Sequence, residues 1–408
     1  MPLGPHWRLP DPGGRCFDAL PGTVETLLTG SSPLPALPQA EHGLPARADR
    51  VVLVYFDAFG WKFLERHADH PVFRRARSSE RLTSQFPSTT AAHVTTVHTG
   101  LPVGEHGVYE WFVLEPTLDR LIAPLLFAFA GEKERGTLGQ VGLPLSAVFP
   151  DGSPLYRRLA AAGVVPLVVQ PTVFLPVGRE AVAPSSLLAS DAVIAGWESI
   201  DEAFELLVAG TTAEERSFAH VYLPHVDELM HRHGPDHEFV NEAIEWTLDL
   251  LDEALGRLPP GTVTLLTADH GMAPVSPATT VYADELWPGL ARLLRHGADG
   301  LPLAPAGSSR DLFLHTLPGS AGEVRDGLAG RLEGVAEAWL TADLVAEGLF
   351  GAAPSQLLLA RLGEVAVLPY LGEAVYWRGG GRFEQTFLGQ HGGLTPDEME
   401  IPLVVFES

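Results

Sequence analysis

The sequence predicts an α/β sandwich with a mostly parallel central sheet. Continuous apolar runs rich in β-branched residues occur at 51–56, 164–169, 218–223 and 262–267. Such runs are typical of strands that are buried on both faces of a parallel sheet. Helical patterns, such as the one at 239–258, separate these runs. Strands that alternate with helices indicate βαβ units and therefore the α/β class.

Length and composition limit the alternatives. The chain has 408 residues, enough for one large α/β domain with an insert or for two to three smaller domains. Hydrophobic residues make up 46% and charged residues 19%, which excludes global disorder. The 27 basic and 51 acidic residues give a net charge of −24. This balance argues against nucleic-acid polymers and anionic membranes as partners.

The sequence also predicts a cytoplasmic protein. Cys16 is the single cysteine, which rules out an internal disulfide framework and a Cys-based zinc cluster. The first residues show no basic region followed by an apolar run, so we expect no signal peptide. The most apolar stretches, 121–130 and 159–175, are short or interrupted by Gly and Pro. A spanning helix needs about 18–20 apolar residues.

The composition and the predicted pattern of strands and helices change along the chain. Residues 1–50 are rich in Pro and Gly, and we interpret them as an irregular N-terminal wrapping segment. Residues 51–275 and 383–408 carry the βα pattern and form the predicted core, which a late strand at 401–406 completes. Residues 276–382 mix strand-like and helical patterns differently, as expected of a small α+β cap domain inserted into the core.

Three of the predicted strands end in acidic residues. Asp57 directly follows the first strand, Asp227 follows the third after a short turn, and Asp269 follows the fourth. A single acid in this position is usually a helix cap or a turn former. Ligands of open α/β sheets, however, bind at the carboxyl ends of the strands. Three acids at such ends, two of them close to histidines, indicate a functional site.

The histidines near these acids have the spacing of metal ligands. Asp227 and His231 are four residues apart, so one helical turn places them on the same face. A carboxylate and an imidazole suit zinc or a similar divalent ion, although a solvated helix face with chance histidines would give the same pattern. Asp269 and His270 form another mixed pair, and His391 lies in a glycine-containing loop before the last strand.

The candidate ligands are too many for one tetrahedral metal and suit two. They are Asp57, Asp227, His231, Asp269, His270 and His391. A pair of ions about 3.5–4 Å apart stabilises the attacking and leaving oxygens of phosphoryl transfer.

A nucleophile for such chemistry is available at 86–93, Phe-Pro-Ser-Thr-Thr-Ala-Ala-His. A hydroxyl at a helix N-terminus is ordinarily a cap, and Ser88, Thr89 or Thr90 would serve as one. A hydroxyl held against a dication can instead attack phosphorus. The N-terminus of the helix also supplies backbone donors for a phosphate.

The ordered set of motifs resembles a known family. The motifs are Pro87 to Thr90, Thr99 to Pro102 followed by Glu105-His106-Gly107, Asp227 to Pro235, Asp269 to Met272, and His391-Gly392. In this order they resemble the type I phosphodiesterase/nucleotide pyrophosphatase family of the alkaline phosphatase superfamily. The resemblance covers about 51–275 and 383–408. It implies an alkaline-phosphatase-like three-layer sandwich.

The resemblance also implies roles for the candidate residues. Thr90 matches the nucleophile of the family. One metal would be held by Asp57, Asp269, His270 and the Thr90 oxygen, and the other by Asp227, His231 and His391. Two Zn²⁺ ions are expected, with Mn²⁺ as the alternative. His93 stands where members of the family have an asparagine that donates to the phosphate oxygen, so it is expected to take part in catalysis.

The function implied is metal-dependent hydrolysis of a small-molecule phosphate ester, with a nucleotide as one candidate substrate. The alternatives are a phosphomonoesterase or phosphomutase of the same superfamily, and an inactive binding protein stabilised by metals. The aromatic residues Tyr109, Trp111 and Phe112 either stack on the substrate or pack in the core.

Overall fold

The computed structural model describes residues 3–132, 134–150, 154–175 and 191–408. The α-helices within these ranges are α1 (Leu20–Thr29), α2 (Trp61–Arg66), α3 (Thr90–Thr99), α4 (Val103–His106), α5 (Thr137–Gln140), α6 (Leu145–Val148), α7 (Pro154–Ala161), α8 (Ile200–Ala213), α9 (His225–His233), α10 (Glu238–Leu255), α11 (Ala283–Leu286), α12 (Ala321–Arg331), α13 (Thr341–Ala346), α14 (Gln356–Arg361) and α15 (Pro396–Met399).

The strands within the same ranges are β1 (Arg50–Phe56), β2 (Ala76–Thr83), β3 (Val113–Glu115), β4 (Arg120–Ala123), β5 (Ala128–Phe129), β6 (Val165–Pro171), β7 (Val193–Trp197), β8 (Ser217–Leu223), β9 (Thr262–Thr267), β10 (Ala273–Pro274), β11 (Val281–Tyr282), β12 (Ala306–Gly307), β13 (Leu312–Leu314), β14 (Ala336–Leu340), β15 (Val365–Pro369), β16 (Val375–Tyr376), β17 (Gly389–Gln390) and β18 (Glu400–Glu407). No helix of the described ranges combines the length and the hydropathy that a membrane span requires.

The central sheet confirms the predicted fold class. It has seven strands in the order β2-β18-β9-β1-β8-β6-β7. Strands β9, β1, β8, β6 and β7 pair in parallel. Strand β18 runs antiparallel to both of its neighbours, so the sheet is mostly parallel. The four apolar runs of the sequence are β1, β6, β8 and β9, and the late apolar run is β18.

The predicted strands do not include the two edge strands of this sheet. Strand β2 alternates exposed and half-buried residues over most of its length, because it lies at the edge of the sheet and contacts solvent. Strand β7, at the other edge, has the short apolar sequence Val-Ile-Ala-Gly-Trp and is mostly half-buried. Long apolar runs predict buried central strands, and edge strands do not need them.

The N-terminal segment is better packed than its composition indicates. Within it, α1 buries Leu20, Val24, Leu27 and Leu28 in the same core as the central sheet. These residues follow the helical spacing that places side chains on one face.

Residues 276–382 contain a four-stranded antiparallel sheet in the order β12-β13-β15-β14, with α12 packed on it. The two ends of the segment lie close together, because β10 pairs with β17 and the Val275 N–H donates to the Leu388 carbonyl at 3.0 Å. The division of the chain into a core and an inserted cap domain remains a prediction.

The segment shares a hydrophobic core with the rest of the molecule. Phe313 is fully buried, and its ring centroid lies 5.2 Å from that of Tyr109 and 6.4 Å from that of Phe86. The buried Arg361 side chain donates to the Gly107 carbonyl at 2.9 Å and contacts the Glu115 carboxylate at 3.3 Å. Residues 276–382 are therefore expected to unfold together with the core.

This shared core predicts the effect of a cavity mutation. Phe313→Ala should lower the free energy of unfolding by about 3–5 kcal/mol, because a buried aromatic ring is lost between two parts of the fold. Urea unfolding should show one transition, and Leu328→Ala in α12 should shift that same transition. A separate transition, moved by Leu328→Ala alone, would show that the segment is an independent domain.

Candidate active site

The loops that follow β1, β8 and β9 bring three carboxylates together at the carboxyl ends of the strands. Asp57 follows β1, Asp227 lies in the first turn of α9 after β8, and Asp269 follows β9. Strands β1, β8 and β9 are direct neighbours in the sheet, so their ends meet at one edge. The structure places these acids at the carboxyl ends of the strands, as the sequence predicts.

Asp57, Asp269 and His270 form a fully buried group. The His270 Nε2 atom lies 3.2 Å from Asp269 Oδ2 and 3.5 Å from Asp57 Oδ1. Asp269 Oδ1 accepts hydrogen bonds from the backbone N–H groups of Ala58 and His270, at 3.2 and 3.0 Å. The Tyr222 hydroxyl donates to Asp57 Oδ2. Potential metal-ligand atoms of these three residues all lie within 4.8 Å of one another.

Asp227, His231 and His391 lie next to this group. The His231 Nε2 atom is 3.4 Å from Asp227 Oδ2, one helical turn away on α9. The His391 Nε2 atom is 3.8 Å from Asp227 Oδ1. The His391 ring stacks on the His270 ring, with their centroids 3.6 Å apart. Asp227, His270 and His391 also offer ligand atoms within 4.8 Å of one another, so the two groups are contiguous.

Backbone carbonyls orient the three imidazoles in the same way. The Nδ1 atom of His231 lies 2.8 Å from the Gly389 carbonyl oxygen, that of His270 lies 2.9 Å from the Gly271 oxygen, and that of His391 lies 2.9 Å from the Ser88 oxygen. A carbonyl accepts only from a protonated Nδ1, which leaves the Nε2 lone pair directed at the carboxylates. This arrangement orients histidine ligands in metal sites.

Burial and mutual repulsion oppose ionisation of the carboxylates. Burial, together with the charges of Asp269 and Asp227, holds the pKa of Asp57 well above its usual range. Burial likewise raises the pKa of Asp227 to about 6, although His231 opposes this rise. Burial lowers the pKa values of His270 and His391, so these rings are neutral. A bound cation would therefore favour the state in which all three carboxylates are ionised.

The residues present fit divalent cations. Asp57 Oδ1, Asp227 Oδ1 and Asp269 Oδ2 are buried without a hydrogen-bond partner. Within the described ranges, the ion pairs of these carboxylates involve histidines and no Lys or Arg. Three carboxylates and three Nε2 atoms form a mixed oxygen and nitrogen donor set that suits zinc.

Three neighbouring hydroxyls have different surroundings, and one of them contacts His270. The Thr89 hydroxyl donates to the Tyr109 carbonyl at 2.7 Å, and its oxygen accepts from the Ala92 N–H as the N-cap of α3. The Thr90 Oγ1 atom, at the first residue of the helix, lies 3.2 Å from His270 Nε2. Thr90 also lines the cavity described below.

Ser88 connects residues 86–93 to the loop of His391. Its hydroxyl donates to the Gly393 carbonyl at 2.8 Å and accepts from the Gly392 N–H at 3.1 Å. Its backbone N–H donates to the Gly392 carbonyl, and its carbonyl accepts from His391 Nδ1. Every polar group of Ser88 is thus bonded to residues 391–393.

Residues of the 276–382 segment support the other side of the same loop. The fully buried Arg310 guanidinium makes two hydrogen bonds of 2.9 Å to the Glu398 carboxylate. That carboxylate accepts from the Gly393 N–H at 3.0 Å. The Ser308 hydroxyl lies 3.2 Å from the His391 carbonyl oxygen and 2.6 Å from Asp311 Oδ1. No local sequence pattern predicts these long-range bonds.

His93 lies beside the candidate metal ligands, and its hydrogen-bond partners are other residues. The Ser84 hydroxyl is 3.0 Å from the His93 Nε2 atom and donates to the Asp269 carbonyl at 2.6 Å. The His93 Nδ1 atom lies 2.7 Å from the Thr89 carbonyl oxygen, and its Nε2 atom accepts from the Gln85 N–H at 2.9 Å. The ring is fully buried against Phe17, and burial lowers the pKa of His93 to about 4. Both ring nitrogens are engaged, so this geometry does not support the predicted contact with a phosphate oxygen.

A cavity of about 760 Å³ opens beside the carboxylates and Thr90. Trp111 and Phe112 line it, and Trp111 is 42% exposed. Tyr109 instead is fully buried and packs in the core. Of the three aromatic residues that the sequence singled out, two are therefore placed to contact a substrate.

Glu110 and Asp311 form a buried carboxyl pair that sequence reasoning missed. Their carboxyl groups are hydrogen-bonded to each other, and burial raises the pKa of Glu110 from 4.5 to about 7. Burial and the Glu110 charge raise the pKa of Asp311. The two residues are 201 positions apart, and nothing in the local sequence indicates that they are neighbours. Neither could therefore be predicted as part of a carboxyl pair.

Comparison with known proteins gives matches to a family model and to solved structures. The model of the family "Type I phosphodiesterase / nucleotide pyrophosphatase" matches residues 51–393. Murine ectonucleotide pyrophosphatase/phosphodiesterase 5 is similar with a TM-score of 0.63 at 17% identity, covering 88% of this chain and 88% of that chain. An inactive variant of it in complex with AMP has a TM-score of 0.63 at 16% identity, covering 88% and 87%.

The human ectonucleotide pyrophosphatase/phosphodiesterase 5 is similar with a TM-score of 0.60 at 16% identity, covering 88% of this chain and 87% of that chain. At these identities the structural comparison establishes the fold. A comparison with curated protein sequences finds no match.

The Glu110–Asp311 pair predicts a pH dependence of stability. The folded protein keeps a proton on Glu110 up to about pH 7, whereas an unfolded chain releases it above about pH 4.5. The free energy of unfolding should therefore fall as the pH rises through this window, by about 3 kcal/mol in total. In Glu110→Gln, whose amide donates to Asp311 without titrating, urea unfolding curves should show a fall that is smaller by about this amount, because Asp311, Asp57 and Asp227 still titrate with raised pKa values. The same pH profile in both proteins would contradict the assignment.

Proposed function

The chain belongs to the type I phosphodiesterase / nucleotide pyrophosphatase family, and from this we propose that it hydrolyses phosphodiesters through Thr90 and a two-metal centre. Members of this family are metal-dependent hydrolytic enzymes. The observation that carries the proposal is the position of the Thr90 hydroxyl, 3.2 Å from His270 Nε2 at the edge of the carboxylate cluster. Ser88 and Thr89, its neighbours, have hydroxyls that are bonded to backbone groups.

The structural neighbours support the same chemistry. The murine protein in complex with AMP is described as inactive and carries an alanine in place of a threonine. Loss of activity on replacing a threonine is expected if that threonine is the nucleophile. Binding of a nucleoside monophosphate is expected if the substrate is a phosphate ester of a nucleoside. We extend both features to this chain, with Thr90 as the threonine and a nucleotide or related phosphate ester as the substrate.

The proposed metal centre consists of the candidate ligands that the sequence predicts. Asp57, Asp269, His270 and Thr90 would hold one ion, and Asp227, His231 and His391 the other. Two divalent ions, most suitably zinc, would lower the pKa of the Thr90 hydroxyl and offset the negative charge of the phosphoryl group.

Thr90 would act in two steps. Its Oγ1 attacks phosphorus and forms an O–P bond, while the bond from phosphorus to the leaving alcohol breaks and the alcohol takes up a proton. Water then attacks the phosphothreonine and releases a phosphate monoester and the free Thr90 hydroxyl. The first N–H groups of α3, those of Thr90 and Ala91, have no acceptor within the helix and point to the N-terminal side. They are placed to donate to a phosphate oxygen.

The cavity favours diesters over monoesters. Arg135 is the one Lys or Arg residue among the described residues that line it. The Arg135 side chain donates to the Val173 carbonyl at 2.7 Å and lies over the Phe174 ring. A monoester dianion usually requires an additional cation, and the described part of the cavity offers none beside the carboxylates. Both arms of a diester can instead contact the aromatic walls.

Replacing the two threonines should separate the nucleophile from the helix cap. Thr90→Ala should lower kcat for bis-p-nitrophenyl phosphate by at least about a thousandfold, because the attacking oxygen is lost. Thr89→Ala should cost about 1 kcal/mol of stability through loss of the N-cap and keep kcat within about tenfold. Thr90→Ser should retain measurable turnover.

Two outcomes would contradict the assignment of Thr90 as the nucleophile. Equal losses of kcat in Thr89→Ala and Thr90→Ala, at equal melting temperatures, would place the catalytic hydroxyl elsewhere. Turnover that survives in Thr90→Ala would do the same.

The metal content tests the second half of the proposal. After zinc loading and gel filtration, elemental analysis should find two ions per chain. His391→Ala and Asp227→Ala should each retain about one ion and lose most of the turnover, because each removes a ligand of the same ion. His233→Ala, two residues after His231 on α9, should retain both ions. A wild-type chain that binds no stoichiometric transition metal would refute the two-metal centre.

A further inference from the structure

The cavity extends along α3, away from the proposed nucleophile. Thr90, Val94 and His98 lie on one face of this helix at a spacing of four residues, and all three line the cavity. At 1.5 Å per residue, the distance along the helix from Thr90 to His98 is about 12 Å. The far end of the cavity is therefore too distant for the phosphoryl group to occupy, and it would contact another part of the substrate.

A polar residue with unused hydrogen-bonding capacity lies at this far end. His220 projects from β8, its ring centroid is 5.5 Å from that of His98, and it lines the cavity. It is 1% exposed, and neither of its ring nitrogens has a hydrogen-bond partner.

Such unpaired groups are costly, so a binding partner is expected. A buried donor or acceptor without a partner costs about 1–3 kcal/mol, and most buried polar atoms in proteins have one. Burial lowers the pKa of His220, so the ring is neutral and offers one N–H donor and one acceptor nitrogen. The complementary group on a ligand is uncharged and both donates and accepts, as a hydroxyl or an amide does.

The walls between Thr90 and His220 are mainly apolar. Ala91, Val94 and Trp197 line the cavity and are buried. A cavity with apolar walls and a few oriented polar groups is the usual form of a small-molecule site.

We propose that His220 forms a subsite for one ester arm of the substrate, an apolar or aromatic arm that ends in a neutral hydroxyl or amide group. The inference rests on the proposed function, because the phosphoryl group of the same substrate would lie at Thr90. The subsite would select substrates by the group that they carry about 12 Å from phosphorus.

Binding to a protein that cannot turn the ligand over tests this subsite. Full-length Thr90→Ala, loaded with zinc, is titrated by calorimetry with ethyl ω-hydroxyalkyl phosphates of increasing arm length. Each is paired with the methyl-terminated diester that has the same number of atoms. The hydroxyl-terminated diester should bind about fivefold more tightly at the length that reaches His220, because one hydrogen bond is worth about 1 kcal/mol. Shorter arms should show no such preference.

Two further variants in the same background identify the residue. His220→Phe keeps the ring volume and should bring the ratio of the two Kd values to about one. His42→Phe is the matched control, because His42 is also buried with both ring nitrogens unpartnered. It does not line the cavity, and its replacement should leave the preference unchanged.

The possible results separate this inference from the proposed function. Equal binding of the two diesters at every length would mean that water alone occupies the subsite, and the inference would be wrong. An equal loss of preference in His42→Phe and His220→Phe would also overturn it. If neither diester bound at any length, the proposed function would fail first and the subsite with it.

Discussion

The convergence of three buried carboxylates is the constraint on which the rest of the site depends. Asp57, Asp227 and Asp269 follow neighbouring strands of one sheet, and two of them are fully buried. Like charges this close in a medium of low dielectric oppose folding unless protons or cations neutralise them. In the described part of the chain, the ion pairs of these carboxylates involve imidazoles that backbone carbonyls orient, and no Lys or Arg. A bound cation, as proposed above, would neutralise the carboxylates and turn this structural cost into a binding site.

The loop of His391 shows how the chain completes this site from distant segments. Ser88, 303 residues earlier, bonds to the loop from the side of the nucleophile, and Arg310 supports it through Glu398 from the other side. Residues 276–382 thus contribute more than a wall of the cavity. They help to fix the position of a candidate metal ligand, which agrees with the hydrophobic core that they share with Phe86 and Tyr109. A substitution in this segment can therefore change metal binding without contacting a metal.

The sequence could predict the features that depend on local pattern. Apolar runs identified the central strands, and the acids after them identified Asp57, Asp227 and Asp269 as candidates. The edge strand β2 could not be found in this way, because solvent contact removes the apolar signal. The edge strand β7 is apolar but has only five residues, one of them a glycine. The orientation of His93 could not be read either, since it depends on Gln85 and on a backbone carbonyl in the same turn. Glu110 and Asp311 meet only because two segments far apart in sequence pack together.

The three adjacent hydroxyls at 88–90 show how the position of a residue relative to the start of a helix determines what its side chain contacts. By residue type, any of them can cap a helix or attack phosphorus. The helix begins at Thr90, so Thr89 takes the capping position, and its hydroxyl is used by a backbone donor and acceptor. Ser88 lies before the cap and bonds to the His391 loop. The Thr90 hydroxyl, on the first residue of the helix, contacts His270. A shift of the helix start by one residue would exchange these roles, so the assignment of Thr90 as the proposed nucleophile depends on where α3 begins.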